Sequence, residues 1–505
     1  MSRSVRGGLW VLLAICIVRF WIVPLPSSFW VDEAGTLFVV RQGAHHPSLA
    51  IAPQVPASIY FWLPRVSERA LPWLPQNPGV TEAAYRLPSV LAMLAALLLI
   101  ARIAMRLIHP DAGWFAVFAC FGLRGLNYAA DDARPYALGM LMVSGAVLFL
   151  IRWLDRGRVI DAAVFLVFAA LIWRVHLIYW PFYVVLFLYT VVRLARAETP
   201  VGWLAGAIVW AILGLSLIPV AVEALSLFRQ AGAHVITALP GPGELVRTLK
   251  FGLILWSAAI ALVLRFRGGA SGVRRLPATS VVLILAWWLI PPVALFAYSW
   301  GTGNSVFVNR YMSFGLPGIA LCGTLAAAFV VPQPRWRWAA VILGAGVLIF
   351  LGDWRHQWPP HHGSDWRGAA AAVNALPYGP DLPVLCPSPF IEARAPEWSP
   401  RYPLPGFLYA HLATYPVRGR LELFPFQTSP EAEAWASHIG KDTLQPFGRF
   451  VLYGSSASVQ FWSDWYLKQP EFEGWRAHRL GDFGDVAAVM CGAPDKIYRR
   501  LSSAY

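Results

Sequence analysis

Two adjacent carboxylates, Asp32 and Glu33, follow the first apolar run of the chain in the segment FWVDEAG. Their apolar neighbours Phe29, Trp30 and Val31 do not suit a freely exposed turn. Ionisable groups at the edge of a membrane span are costly and are usually functional. Carboxylates in this position can accept a proton or bind a metal ion. The alternative interpretation is a solvated acidic pair at the start of a loop.

A second cluster places acids, a base and a phenol within the segment DDARPY: Asp131, Asp132, Arg134 and Tyr136. Acidic residues and a proline are also typical of a helix start, where the acids complement the helix dipole. Both interpretations can hold together. Asn127 lies just before the cluster, and we expect it to line the same cavity.

A third cluster, Arg310 and Tyr311, opens a late apolar run. Arginine forms bidentate hydrogen bonds with phosphate. The alternative is a snorkelling arginine beside a tyrosine of the aromatic belt. Arg174 and His176, in a tight turn between two apolar runs, are weaker candidates that simple solvation would also explain.

The elements that carry these residues are mostly membrane spans. The chain has 505 residues, of which 57% are hydrophobic and only 13% charged, whereas soluble domains carry about 25% charged residues. This composition excludes disordered, coiled-coil and small disulfide-bonded proteins. A run of about 20 apolar residues crosses a bilayer. We count eleven runs, at 9–25, 83–105, 112–125, 135–153, 159–175, 177–194, 202–222, 250–266, 279–298, 312–331 and 337–352.

The net charge of +14 does not indicate nucleic-acid binding, because the arginines are concentrated in alternate loops. Arginines precede the first run and follow the second, fourth, sixth, eighth and tenth runs. By the positive-inside rule these loops are cytoplasmic. We therefore expect a multi-pass membrane protein with a cytoplasmic N-terminus and a C-terminal domain on the outer side. The first run lacks a small-residue cleavage site, so it is kept as a span.

Two domains are predicted. Residues 1–352 form the transmembrane domain, with a long first outer loop at 26–82, and residues 353–505 form an outer α/β domain. In the outer domain, helices are predicted at 365–376, 430–439 and 456–467, strands at 382–386 and 449–453, and a hairpin of 477–480 with 486–491. Cys386 and Cys491 lie near strand ends, and a disulfide between them is an open alternative.

Four segments together resemble a known family: FWVDEAG, DDARPYALGM, NRYMSFGLPG and SDWRGAAAAV. Their order and sidedness resemble C-type (GT-C) membrane glycosyltransferases, specifically the bacterial group of protein O-mannosyltransferases and aminoarabinose transferases. The resemblance covers the layout of the whole chain, although each motif is short. It implies a GT-C-like fold and transfer of a sugar from a polyprenyl-phosphate donor to a lipid, glycan or protein acceptor.

The chemistry of such a transfer defines roles. Its transition state is oxocarbenium-like, and the attacking hydroxyl must lose a proton, which Asp32 can accept as general base. Glu33 would orient the acceptor or a metal. By resemblance, Arg134 and Arg310 neutralise the departing phosphate, with Tyr136, Tyr311 and His176 as partners. A base opposite the leaving group predicts inversion. We expect these groups to share one lipid-accessible pocket on the outer side.

No cofactor is certain from the sequence. An oxygen-rich site for Mg²⁺, Mn²⁺ or Ca²⁺ could include Asp131 and Asp132, together with Asp32, Glu33 and His176, and the resemblance does not decide the question. The adjacent pairs His45–His46 and His361–His362 are assigned to the surface rather than to zinc.

Two other functions stay open. A transporter or flippase of lipid-linked sugars would line a path with charged groups, but here the acids cluster at one face and a sizeable domain lies outside. A polysaccharide ligase or polymerase tends to concentrate arginine in a large late outer loop, whereas here the long outer loop is the first.

Overall fold

The computed structural model describes residues 3–51, 58–75, 77–230, 238–266, 276–356, 361–394 and 398–493. The chain forms two compact units. The first consists of Met1–Leu25, Ala57–Ser67 and Ala84–Pro359, and the second of Pro26–Pro56, Glu68–Ala83 and Pro360–Tyr505. The second unit thus includes much of the predicted first outer loop as well as the C-terminal region. The domain boundary at residue 352 stays a prediction.

Helices dominate the chain as far as residue 351. In chain order they are α1 (Arg3–Ile17), α2 (Val31–Gln42), α3 (Trp62–Ala70), α4 (Pro78–Leu107), α5 (Ala112–Phe121), α6 (Arg124–Ala130), α7 (Tyr136–Arg156), α8 (Val159–Val175), α9 (Pro181–Ala195), α10 (Trp203–Gln230), α11 (Pro242–Thr248), α12 (Phe251–Phe266), α13 (Ala278–Thr302), α14 (Leu316–Ala328) and α15 (Trp336–Leu351). Each of the eleven predicted apolar runs overlaps a helix.

Within the described residues, seven helical segments are long and apolar enough to cross a membrane: Val5–Ile22, Gly79–Leu107, Tyr136–Arg156, Leu177–Ala195, Trp203–Leu225, Ala278–Thr302 and Asn309–Ala328. Helices α11 and α12, bent by 41°, would add an eighth if they form one span. Helices α5, α8 and α15 are shorter. The prediction of a polytopic α-helical membrane protein is confirmed, and the count of eleven spans stays a prediction.

The outward faces of these helices are apolar. Leu98 on α4, Leu204 and Leu215 on α10, and Leu255 on α12 are each at least 66% exposed. Exposed leucines in this number would be unfavourable in water and are favourable in lipid.

Ion pairs join the ends of alternate helices in the first unit. Asp155 at the end of α7 accepts from Arg106 of α4 at 2.8 Å and from Arg193 of α9 at 2.7 Å. Arg337 of α15 pairs with Asp111, just before α5, at 3.0 Å. All five residues lie at or beside loops that the charge pattern predicts to be cytoplasmic. These contacts agree with successive loops that lie alternately on the two sides of the membrane. Which side is cytoplasmic stays a prediction.

The second unit contains a mixed sheet. Its elements after residue 361 are α16 (Trp366–Asn374), β1 (Pro383–Pro387), α17 (Ala410–Thr414), β2 (Arg420–Phe424), α18 (Pro430–Ile439), α19 (Gln445–Phe447), β3 (Arg449–Ser455), α20 (Ser456–Leu467), β4 (Arg476–Arg479) and β5 (Val486–Gly492). The strand order is β2-β1-β3-β5-β4. Strands β2, β1 and β3 run parallel, whereas β5 is antiparallel to β3 and β4.

The apolar pattern explains this order. Strands β1 and β5 are fully buried and occupy inner positions, because strands covered on both faces read as continuous apolar runs. The fully exposed β4 lies at an edge and carries arginines and a histidine, which discourage further strand pairing. The predicted helices, strands and hairpin of this region are confirmed, and β2 is an element that the sequence reading missed.

The alternative of a disulfide is not realised. Cys386 and Cys491 are both free and buried. They lie on β1 and β5, which flank β3 on opposite sides. Two strand spacings amount to about 9.6 Å, and a disulfide requires Cα atoms within about 7 Å.

Candidate active site

His176 lies at the centre of an aromatic cluster in the first unit. It follows α8 in an extended conformation and precedes the 3₁₀ turn Leu177–Tyr179. Its imidazole centroid lies 5.2 Å from that of Tyr179, 5.4 Å from that of Tyr311 and 6.1 Å from that of Tyr136. Three chain segments that are far apart in sequence therefore surround one ring.

Two arginines act on the same imidazole. Burial lowers the pKa of His176 to about 3, and the positive charges of Arg134 and Arg310 add to this lowering. A positive charge disfavours protonation of a nearby imidazole, and the effect weakens with distance. The structure thus brings together five residues that the sequence identified as donor-binding candidates: Arg134, Tyr136, His176, Arg310 and Tyr311. Arg174, although it is nearby in sequence, is not among the charges that lower this pKa.

The histidine is held in one tautomer. The backbone N–H of Ile178 donates to Nδ1 of His176 at 3.3 Å, so the neutral ring carries its proton on Nε2. Below neutral pH the two arginines still oppose a second proton. The ring therefore offers one N–H donor and no positive charge of its own.

Tyr179 supports the cluster by packing its ring against that of His176. Its Oη is hydrogen-bonded to Oγ of Ser313 at 2.6 Å, and its ring packs against Gly139 of α7. A Cβ atom at Gly139 would lie 2.2 Å from the Tyr179 ring, so only glycine permits this approach. Tyr179, Ser313 and Gly139 were not identified from the sequence, because nothing in their spacing shows that they meet.

Asp131 and Asp132 are both buried, with exposed fractions of 2%. They precede α7, whose first residue is Tyr136, and their charges complement the N-terminal end of that helix dipole. The amide of Asn127 is occupied by packing bonds, because Oδ1 accepts from Trp21 Nε1 at 3.2 Å and Nδ2 donates to the Phe121 carbonyl at 2.8 Å. We therefore assign Asn127 to the helix packing of this region.

The two acids of the first outer loop belong to the second unit, and they differ in environment. Helix α2 begins at Val31, with Asp32 and Glu33 in its first turn. Glu33 is fully buried, and its Oε2 accepts from the Trp30 N–H at 3.3 Å, as a helix-capping carboxylate does. Asp32 is partly exposed. The proposed meeting of these carboxylates with the arginines stays a prediction.

Histidines lie close to this turn. The His362 ring lies 4.4 Å from the Trp30 ring and 4.2 Å from the ring of His361. His361 is only 1% exposed, and its backbone N–H donates to Ser27 Oγ at 3.0 Å. The assignment of His361 to the surface was wrong, because the chain buries its side chain and its backbone N–H is bonded to Ser27.

Comparison with solved structures identifies the fold. The crystal structure of ArnT from Cupriavidus metallidurans bound to undecaprenyl phosphate superimposes with a TM-score of 0.53, at 11% identity over 96% of this chain and 98% of that chain. The chain has the ArnT fold. The apo form of that ArnT matches over the same shares of both chains with a TM-score of 0.40 and 14% identity. The ArnT fold confirms the expectation of an aminoarabinose transferase-like architecture.

No family model matches the sequence. No curated protein matches it either. The ArnT fold is thus recognised through structure and through the four short motifs, and the functional assignment depends on the chemistry of the site.

Proposed function

We propose that this protein is an integral-membrane glycosyltransferase that moves a sugar from a polyprenyl-phosphate donor to an acceptor on the outer face of the bacterial cytoplasmic membrane. The observation that carries the proposal is the pair of arginines, Arg134 and Arg310, beside the aromatic-walled His176. The ArnT solved with undecaprenyl phosphate shares the fold, which supports a lipid-linked donor.

The cluster of the first unit is suited to a phosphate. Arg134 and Arg310 would pair with the donor phosphate through charge-assisted hydrogen bonds and would stabilise the negative charge as the glycosidic C–O bond breaks. The Nε2–H of His176 adds a neutral donor, and Tyr136 and Tyr311 provide hydroxyl groups. Phosphate is already a good leaving group, so this site needs positive charge more than a general acid.

We assign Asp32 the role of general base, which accepts the proton of the acceptor hydroxyl. Its partly exposed carboxylate would remove the proton as the oxygen attacks the anomeric carbon, and attack opposite the phosphate inverts that carbon. Glu33 is assigned to holding the turn, since its carboxylate caps α2. A general base contributes about 10²–10⁴-fold to the rate.

A divalent cation at Asp131 and Asp132 also stays part of the proposal. Carboxylate oxygens are the ligands that Mg²⁺, Mn²⁺ and Ca²⁺ prefer, and both side chains are buried. Such an ion would add positive charge near the phosphate. Treatment of the purified protein with EDTA, followed by re-addition of each metal, measures whether transfer depends on it.

The decisive experiment follows an isotope-labelled sugar from a polyprenyl-phosphate donor into extracted envelope lipids, glycans and proteins, with purified protein in detergent or nanodiscs. Labelled product without a membrane gradient supports an enzyme, whereas movement of intact donor across a vesicle membrane without a new glycosidic bond would indicate a flippase. A long polymeric product would indicate a polymerase, and the anomeric configuration of the product tests inversion.

Donor binding is measured separately with undecaprenyl phosphate. Each charge-assisted hydrogen bond contributes about 1.5–3 kcal/mol, so Arg134→Ala and Arg310→Ala should each weaken binding about 10- to 150-fold. Arg174→Ala is the matched control, because Arg174 lies two residues before His176 and does not act on it. Equal affinities in all three variants would contradict the phosphate site.

A further inference from the structure

The approach to Asp32 is fixed residue by residue within the second unit. The Pro26 carbonyl accepts from Arg367 Nη2 at 3.0 Å, and Ser27 Oγ accepts from the His361 N–H at 3.0 Å. Ser28 Oγ then accepts from the backbone N–H of Arg367 at 3.1 Å. Three successive residues of the first loop are thus bonded to the start of the C-terminal region.

The next residue is held by a buried tyrosine. The backbone N–H of Phe29 donates to Tyr415 Oη at 2.8 Å, and Tyr415 Oη donates to Glu82 Oε1 at 2.5 Å. Burial and the neighbouring Glu82 carboxylate raise the pKa of Tyr415, so the hydroxyl retains its proton. A hydroxyl that accepts from one group and donates to another fixes the positions of both.

The carboxylate of Glu82 closes the network. Glu82 is 1% exposed, and its Oε1 also accepts from Arg367 Nη1 at 3.1 Å. Arg367 therefore links the acid at the start of α4 to the carbonyl of Pro26. A buried acid is stable when it is paired and hydrogen-bonded, and this one joins three separate segments of the chain.

We propose that Glu82, Arg367 and Tyr415 form a clamp that positions Asp32 for proton transfer. The clamp holds residues 26–29, and the capped first turn of α2 then sets the direction of the Asp32 side chain. This inference depends on the proposed function for its catalytic meaning. It assigns the C-terminal region a role in aligning the base, in addition to any role in binding an acceptor.

Tyr415→Phe tests the clamp, because it removes one hydroxyl and keeps the ring. Misplacement of a reacting group by about 1 Å can cost about 100-fold in rate. We expect turnover at saturating donor to fall about 10- to 100-fold while affinity for undecaprenyl phosphate stays unchanged. In a protein that also carries Asp32→Asn, Tyr415→Phe should cause no further loss.

Two controls separate positioning from folding. Tyr378→Phe makes the same change in the same unit, at a half-buried ring beneath Arg449, and should leave turnover unchanged. Glu82→Gln retains an acceptor for Tyr415 and should keep more activity than Glu82→Ala. A fall in turnover that merely matches the loss of folded protein, or full additivity with Asp32→Asn, would overturn the clamp.

The clamp can also be tested without catalysis. Hydrogen–deuterium exchange of the purified protein should be faster over residues 28–36 in Tyr415→Phe than in wild type or Tyr378→Phe, since the Phe29 amide loses its acceptor. Unchanged exchange would overturn the clamp whatever the activity. Faster exchange in a protein that shows no transfer with any polyprenyl-phosphate sugar would instead contradict the proposed function and leave the clamp in place.

Discussion

Gly139→Ala should displace the Tyr179 ring that packs against His176. The new Cβ would lie 2.2 Å from Cε2 and 2.9 Å from Cζ and Oη of Tyr179, whereas an ordinary carbon–carbon contact needs about 3.5–4.0 Å. The Tyr179 ring must therefore move by more than about 1 Å. Such a movement stretches its 2.6 Å hydrogen bond to Ser313 beyond hydrogen-bonding distance.

The loss of folding free energy in Gly139→Ala has two parts. Overpacking in a filled interior costs about 1–3 kcal/mol, and a lost hydrogen bond adds about 1 kcal/mol. For a unit of roughly 300 residues, the sum of about 2–4 kcal/mol corresponds to a melting temperature lower by about 3–6 °C. Affinity for undecaprenyl phosphate should also fall, because the His176 ring packs on the displaced tyrosine.

Thermal unfolding in detergent and a binding titration with undecaprenyl phosphate measure both effects. Gly346→Ala in α15 is the matched control, because a Cβ there meets nothing within 4 Å, and it should leave both values unchanged or slightly raise stability. If Gly139→Ala melts and binds like wild type, the packing of Tyr179 against α7 does not support the site.

Three further predictions concern the second unit. Asp32→Asn should lower the rate of transfer about 10²–10⁴-fold with an unchanged melting temperature. Glu68→Gln, at a surface pair with Arg41, should be as active as wild type. Similar rates in Asp32→Asn, Glu68→Gln and wild type would contradict the role of Asp32 as the base. His411 is fully buried, and burial lowers its pKa to about 3, so the unfolded chain binds a proton at this histidine first. Stability should therefore fall as pH drops from about 6.5 towards 3, by up to about 1.4 kcal/mol per pH unit. His411→Phe should weaken this pH dependence of the melting temperature. Cys386 and Cys491 should remain thiols in protein purified from an oxidising compartment, so the intact mass should be the same with and without reductant, and a 2 Da difference would show a disulfide.

Much of the fold was predictable because its signals are local. An apolar run of spanning length becomes a helix regardless of its neighbours, since the bilayer leaves backbone groups no other partners. The predicted helices and hairpin of the C-terminal region also carry their patterns within a few residues. Strand β2 was missed because RLELF has only five residues, and an alternation this short is a weak signal for a strand. Its charged residues Arg420 and Glu422 pair with each other at 2.7 Å.

The sequence identified candidate binding residues of the site, but it did not identify the residues that pack against them or position them. Arg134 and Arg310 stood out because arginine is less expected on the outer side of a membrane span. Tyr136 and His176 stood out because they lie within two residues of an arginine. Gly139 and Ser313 are ordinary residues of apolar helices, and their importance comes from the ring that packs between them. Glu82 lies 285 residues before Arg367 and 333 residues before Tyr415, so only the folded chain shows that they share one network.

The clearest gain over the sequence concerns Asp32 and Glu33, whose separate roles were predicted from chemistry before their different environments at the start of α2 were known. A helix that begins at Val31 puts Glu33 at the third helical position. From there its carboxylate reaches back to the N–H of Trp30, the residue before the helix. The usual sequence signal for this arrangement needs Ser, Thr or Asp before the helix, and Trp30 occupies that position. The cap was therefore hidden, and it gives Glu33 a structural contact, while its role in orienting the acceptor or a metal stays a prediction. The proposed general base is Asp32, which is the partly exposed member of the pair, and that role stays a prediction for the Asp32→Asn variant to test.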